Sequence, residues 1–423
     1  MLRLLKKLRR NERGNVLILA GLAIPMIIGS AGLAVDTIQW TLWKRQLQRT
    51  ADSAALAGVY ARVQANASQT ALQAVTNDIG KHQTTGLNLS GTPAVTFPTS
   101  AQWANGVRVA IAVEQVPAFS SMFLPTIRVP ATATAATIRT GVYCVVSLVS
   151  TGATGITATG TGDINLGCGM ITNSTSITAA IATGSSDVFA SPVAAVGAVP
   201  QSNNWNGAEL LPFTVQQDDP YAGLNPPSVT PCKGPANKLN VANNAVVDRS
   251  VADTLAGTVC VSDMSVNGTL KLGSATYFID GGNFDLGSNA DISCTGCTII
   301  LGNSDISQTA TIGSLTMNAQ AKSVMTAPPS GAFKDILFYQ DRRATTSASS
   351  VNRVNGTSSS IFSGAMYFPK QHLSVNGNAG LTFTCAEFVS WTVEFSGNSG
   401  ITNTCPGGYG DDAIMGRHVR LVA

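Results

Sequence analysis

The chain has 423 residues and a formal net charge of +3, and only 12% of its residues are charged, about half the roughly 25% of an ordinary soluble domain. Gly (41) and Pro (18) are frequent, and apolar residues reach 44%. This balance excludes a coiled coil, a strongly charged disordered chain and a polytopic transporter, while leaving enough apolar material for a core in two or three domains.

The basic character is confined to the amino-terminal end. Residues 1–62 hold ten Lys/Arg against three Asp/Glu, and the remaining residues hold 16 against 20. The body carries no basic patch of the kind nucleic acid requires, so no nucleic-acid partner is expected.

Residues 1–14 form a basic tail with Arg3, Lys6, Lys7, Arg9, Arg10 and Arg13. Residues 15–35 follow without a single charge. At 1.5 Å per residue this stretch spans about 30 Å as a helix, the thickness of the hydrocarbon core of a bilayer. Lys/Arg-rich flanks stay in the cytoplasm, so the tail is expected inside and the body outside. Lys44, Arg45 and Arg49 beyond the span are fewer and farther from it. A cleaved signal with a small-residue site near Gly29-Ser30-Ala31 is the other reading, but the run exceeds the usual 7 to 15 apolar residues of such a signal. Trp40 and Trp43 fall where indoles favour the membrane interface.

Residues 36–140 read as a helix followed by a small α+β module. Positions 37–80 lack Pro, and Leu42, Leu47, Ala51, Ala54, Val59 and Val63 recur at helical spacing, with Gly80 as a stop. The Ala-rich face from Ser53 to Gly58 permits close packing, either within the same domain or against a partner helix. The runs 107–114 and 127–138 alternate as strands do, with Pro130 at an edge or bulge.

The segment Glu12-Arg13-Gly14-Asn15, the apolar span, Asp36, and then the block from Leu47 to Gly58 (LQRTADSAALAG) resembles the amino-terminal part of TadG-like proteins. These belong to the bacterial Flp pilus-assembly, or tight-adherence, system. The resemblance covers about residues 10–60. It implies an inner-membrane protein that assembles or stabilises an Flp-type pilus, with other pilus-assembly or secretion components as partners. Pseudopilins carry a Glu five residues after the Gly at which they are cut. Here Leu19 occupies that place, so a retained anchor is expected. Some longer family members carry a von Willebrand A domain with a D-x-S-x-S metal site. Asp305-Ile306-Ser307-Gln308-Thr309 is the nearest string, without the strand and helix pattern that such a domain needs.

From residue 141 onward helical periodicity gives way to short apolar runs separated by Gly, Asn, Ser and Asp. Related units recur at 159–166, 183–189, 266–272, 286–292, 375–381 and 395–401, about 20 to 24 residues apart where they are close. That is the length of one coil of a parallel solenoid. The expected fold is therefore mainly β with an N-terminal membrane helix, a small α+β module and a right-handed parallel β-helix. An irregular β-sandwich or a low-complexity stalk is the competing reading. The solenoid is expected over 141–199 and 258–423, with a Pro-rich loop or linker at 200–257. Ile299-Ile300-Leu301 would supply stacked core positions.

All eight Cys lie beyond residue 143, on the expected outside. An even number in an exported chain reads as disulfides. Nearest neighbours would pair Cys144 with Cys168, Cys232 with Cys260 and Cys385 with Cys405. Cys294 and Cys297 would form a local bridge, because no second C-x-x-C and no clustered His supports zinc.

Many β-helix proteins cleave polysaccharides with paired carboxylates. Asp280 with Asp285, Asp341 with Arg342 and Arg343, and Lys370 with His372 are the residues of that type. Asp is also an ordinary turn former. Asp218-Asp219 and Asp411-Asp412 read as solvated loop pairs. No nucleophile elbow, P-loop, H-E-x-x-H or dinucleotide motif occurs. The expectation is a non-enzymatic envelope protein with no catalytic, cofactor or metal site and no small-molecule substrate. An anchored polysaccharide enzyme and a surface adhesin are the alternatives.

Overall fold

A computed structural model describes residues 12–64, 69–83, 88–307, 309–378, 380–410 and 413–422. The basic tail up to residue 11 and Asp411-Asp412 lie outside the described residues. The chain divides into two compact units, one of residues 1–138 with 419–423, the other of residues 139–418.

In the first unit, helix α1 runs Glu12–Val63 and helix α2 runs Ala71–Gln83. The helical stretch expected over 37–80 is thus two helices, and Gly80 lies inside the second. The restart is written locally. Thr70 Oγ1 accepts from the Gln73 amide (3.3 Å), and Gln73 Oε1 accepts from the Thr70 amide (2.9 Å). This reciprocal capping box satisfies amides that the first turn leaves without partners.

The helices pack on antiparallel strands β1 (Ala94–Thr96), β2 (Ala104–Gln115) and β3, which begins at Ile127. The register sets Val113 opposite Val129, Ile111 opposite Ala131, Val109 opposite Ala133 and Val107 opposite Ala135. These residues form one core with Leu47, Ala51, Ala54, Ala55, Val59, Val75 and Ile79. Pro130 is opposite Ala112, and its carbonyl accepts from Lys44.

The second unit is built almost wholly from parallel pairings. In the first ladder, Tyr277, Ile299, Phe338, Met366, Phe388, Val145, Met170 and Val193 succeed one another in register. A second ladder continues Val375 through Phe395 to Ala158 and Ala182. A third runs Leu272, Cys294, Met325, Phe362, Phe383 and Asn403. In all three, strands near residue 400 pair with strands near residue 150, so the later sequence lies beneath the earlier.

Apolar side chains stack along these columns into one large core. Aromatic rings follow in sequence, with centroid distances of 5.7 Å for Phe362–Phe383, 5.0 Å for Phe383–Phe388 and 5.4 Å for Phe388–Phe395. Such offset and edge-on contacts add to plain area burial. Three buried polar residues of this core bond to one another. Gln371 Oε1 accepts from Gln340 Nε2 (2.8 Å) and Asn352 Nδ2 (3.1 Å), and Asn352 Oδ1 accepts from the Leu315 amide (2.9 Å).

The first ladder is covered on both faces, which explains its uninterrupted apolar runs. Ile299, Ile300 and Leu301 are all fully buried. The outer face carries Phe278, Ile300, Tyr339, Tyr367 and Val389, against which Tyr221, Leu224 and Val229 pack. The Pro-rich stretch from residue 200 therefore acts as a strap. Tyr339 Oη donates to the Leu224 carbonyl (2.8 Å), Tyr367 Oη to Asp219 Oδ2 (2.6 Å), and Arg342 Nη1 to the Tyr221 carbonyl (2.9 Å). Beyond the strap, the chain forms strands Lys238–Val241 and Val246–Asp248 and helix α3, Ser250–Ala256.

The cysteines pair as their sequence neighbours suggest. Cα separations are 5.8 Å for Cys144–Cys168, 6.0 Å for Cys232–Cys260, 6.1 Å for Cys294–Cys297 and 4.3 Å for Cys385–Cys405. The Cys232–Cys260 bridge ties the strap to the first ladder.

Candidate functional site

Helix α1 changes character along its length. Its first part exposes Ile18, Leu22, Met26 and Ile27, each to more than 60%, and no residue from 18 to 35 is buried. In water each such side chain would cost about 1.5–3 kcal/mol relative to burial. Among the described residues this is the one helix long and apolar enough to cross a membrane. Pro25 lies inside it.

Asp36 ends the apolar stretch. It is 8% exposed, and a buried carboxylate needs donors. They come from the loop between β2 and β3. The Phe119 amide donates to Asp36 Oδ1 (2.9 Å), and the Ser120 amide (2.5 Å) and hydroxyl donate to Oδ2. One helical turn earlier, Gly32 leaves room for the Phe119 ring, which a Cβ at that position would overlap.

Past Asp36 the helix becomes part of the folded unit. Gln48 Nε2 donates to the Thr132 carbonyl (2.9 Å). Arg62 Nη1 donates to the Gly106 carbonyl (2.8 Å), and its guanidinium lies 5.0 Å from the Phe97 ring centroid. The small residues of the LQRTADSAALAG block have a packing role here. Ala51, Ala54 and Ala55 are fully buried, and Gly58 faces Val75 and Val107. The Ala-rich face is thus spent on its own unit. Trp43 packs against the same core, whereas Trp40 is 55% exposed.

The carboxylates of the second unit are dispersed. Asp280 accepts from the Cys232 amide (3.0 Å), the Ser304 amide (2.7 Å) and Ser304 Oγ (2.7 Å). Burial opposes its ionisation, but these donors outweigh burial and hold the carboxyl below its ordinary range. One of its oxygens lies within 4.8 Å of the Cys232 and Cys260 sulfurs, but those sulfurs are bonded to each other. Asp285 belongs to a different ladder, beside Ser265 and Thr316. Burial, then the charge of Asp263, raise its pKa.

Asp341 is gripped by Arg343 through Nη2 (2.7 Å) and Nε (3.1 Å), while Arg342 holds the strap. His372 lies 3.3 Å from Glu394 and 2.8 Å from Thr392 Oγ1. Lys370 is half-buried two residues earlier in that strand. Asp305 receives the Ser307 amide (2.9 Å) in a local turn. Asp218 pairs with Arg417 (2.9 Å). The C-x-x-C motif is a bridge, and the C-x-x-C cysteines are buried.

The Asp36 clamp and the loop it holds have a sequence signature only in hindsight. Residues 116–126 (VPAFSSMFLPT) form a charge-free run between two strands, and nothing in their spacing marks them as partners of a helix eighty residues earlier.

No curated protein and no solved structure matches the chain. One family does, over a limited stretch. Residues 14–76, comprising the apolar span, the clamp residue Asp36 and the buried small-residue block, match the family described as "Putative Flp pilus-assembly TadE/G-like", so the amino-terminal segment is similar to that family, and it includes the helix that is long and apolar enough to cross a membrane.

Proposed function

We propose that this protein is a non-enzymatic, single-pass component of Flp-type pilus assembly. The helix fixes it in the bacterial inner membrane, with the basic tail in the cytoplasm and the body in the periplasm or outside the cell. The observation that carries this reading is the Tad match on a helix whose apolar half is bare while its polar half is locked into a folded unit. We further propose that the three parallel ladders wind as one right-handed β-solenoid, presenting a rigid surface to other assembly or secretion components. Rungs mostly about 20 to 25 residues apart, with longer ones such as Ile299 to Phe338 and Met325 to Phe362, support it together with inward stacks of Phe and small-residue turns. Gly160 and Gly184 at positive φ stack in adjacent turns where a side chain would strike the neighbouring backbone.

The absence of catalysis is part of the proposal. Its support is that Asp280 and Asp341 are engaged by structural donors and that Asp280 and Asp285 lie on different ladders. A surface adhesin is the second reading. A cleft of about 500 Å³ lined by Tyr221, Lys334, Asp335, Glu387 and Tyr409 favours it, since carbohydrate sites combine aromatic faces with a few polar groups. Neither nucleic acid nor a small-molecule substrate enters the proposal.

The test is a count of surface pili and of adherence in a clean deletion strain with a complemented control. Loss of pili restored by complementation is expected. Unchanged pili would overturn the assembly role and shift attention to glycan binding at the cleft.

A further inference from the structure

The first unit has an apolar feature that its own core does not use. In the loop between β2 and β3, Val116, Met122, Phe123 and Leu124 are 60%, 84%, 78% and 55% exposed. Exposed apolar residues are ordinary when scattered, but a contiguous cluster at one tip marks a contact surface. No charge occurs from residue 115 to residue 127.

The position of this tip is fixed by the clamp. Phe119 lies against Gly32, and Phe119 and Ser120 are hydrogen-bonded to Asp36. Gly32 is inside the apolar span and Asp36 is just past it. At 1.5 Å per residue, Gly32 lies about 5 Å inside the end of the span at residue 35. The loop is therefore held at the depth where hydrocarbon gives way to headgroups. Trp40, one turn beyond Asp36 and half exposed, lies at the level where indoles collect.

We propose that the loop of residues 116–124 is a second membrane contact, a wedge that inserts Met122, Phe123 and Leu124 into the outer-leaflet interface beside the anchor helix. This rests on the reading of α1 as a membrane anchor. A single helix leaves a body free to rotate and tilt. A second foothold on the same rigid unit removes that freedom and sets the body at a defined angle to the membrane. Interfacial insertion of about 5–10 Å is the ordinary depth for such apolar faces, which the reach of two exposed side chains covers. The clamp makes this possible. Asp36 accepts the Phe119 and Ser120 amides, and the Ser120 carbonyl accepts those of Phe123 (2.9 Å) and Leu124 (2.8 Å), so these groups need no water.

The occupant is lipid rather than a partner protein because the cluster is continuous in depth with the bare apolar surface of α1. A protein partner here would also have to enter the bilayer edge.

The experiment is spin-label accessibility on the full chain in vesicles of phosphatidylethanolamine and phosphatidylglycerol. The native cysteines are all paired, so F123C and, separately, M122C introduce one label site each. I27C in the span and Q102C on an exposed turn of the same unit serve as references. The expected result is that labels at 122 and 123 are open to oxygen and lose accessibility to a water-soluble nickel chelate, as at 27 and unlike 102. A label open to the chelate places the tip in water and overturns the proposal. A label closed to both reagents places it against protein and overturns it equally. Vesicle flotation separates the two layers of the argument. If the protein fails to float and I27C is open to the chelate, the anchor itself is refuted. If it floats with 27 closed to the chelate while 122 and 123 are open to it as 102 is, the wedge alone is.

Discussion

Gly58 offers a quantitative test of whether the small-residue block is internal packing or a face for another helix. A Cβ built there lies 2.8 Å from Val107 Cγ1 and 2.8 Å from Val75 Cγ2, against 3.4 Å where ordinary contact begins. Each neighbour would have to retreat by about 0.6 Å, and both are fully buried, on β2 and α2 respectively. Overpacking of this kind costs about 1–3 kcal/mol. Replacing Gly by a β-branched residue inside a helix returns about 0.4 kcal/mol of propensity. Gly58→Val should therefore weaken the first unit by about 1–2 kcal/mol, and Gly58→Ala by less, because Ala gains about 1 kcal/mol of propensity. The assay is amide hydrogen exchange of peptides from α2 in the detergent-solubilised full chain. Opening should speed by about 5- to 30-fold for Gly58→Val, while Arg49→Ala on the exposed face leaves it unchanged. Unaltered exchange in Gly58→Val would refute the packing account. If pilus assembly failed in that same variant, the face would belong to a partner helix after all.

Two further predictions concern the second unit. Breaking the Cys385–Cys405 bridge with a paired Ser substitution should cost about 3 kcal/mol, the magnitude expected for a loop of this length, read as a lower denaturant midpoint under oxidising conditions and no difference under reducing ones. Asp285→Asn should raise stability at neutral pH. The folded state raises the pKa of Asp285, so it favours the neutral form, and stability is lost as pH rises from the ordinary carboxylate value through the folded one. Chemical denaturation across that window should show a flatter profile for Asp285→Asn. A variant less stable than the parent at pH 7 would contradict the sign.

How much of this was legible in the sequence depends on how local each cause is. The long apolar helix was legible because 21 uncharged residues in a row leave few options. The cysteine pairs were legible because bonded residues are at most 28 apart, about one rung of the ladders. Gln73 three residues after Thr70 does encode the helix restart, but the continuous apolar spacing around it masks the signal. The Asp36 clamp, the strap of Tyr221 and Leu224 over Tyr339, and the dispersal of Asp280 and Asp285 depend on residues far apart in sequence. Turn residues such as Gly160 say that the chain bends, not which rung the bend will meet.

The order of the ladders has a consequence for how the protein reaches its final state. Ser147 donates to the Trp391 carbonyl across 244 residues, and Val145 sits beside Phe388. A chain translocated amino end first would deliver the strands near residues 145, 156 and 164 early and the strands that seat them last. Until then those early strands keep one row of amides and carbonyls without strand partners, the condition that invites pairing with a neighbouring chain. Closing so long a loop is also slow. If the chain is so delivered, the interval between the two deliveries is the window in which a holding factor would matter most, and a stall in translocation would leave a templating edge rather than a half-built but inert domain.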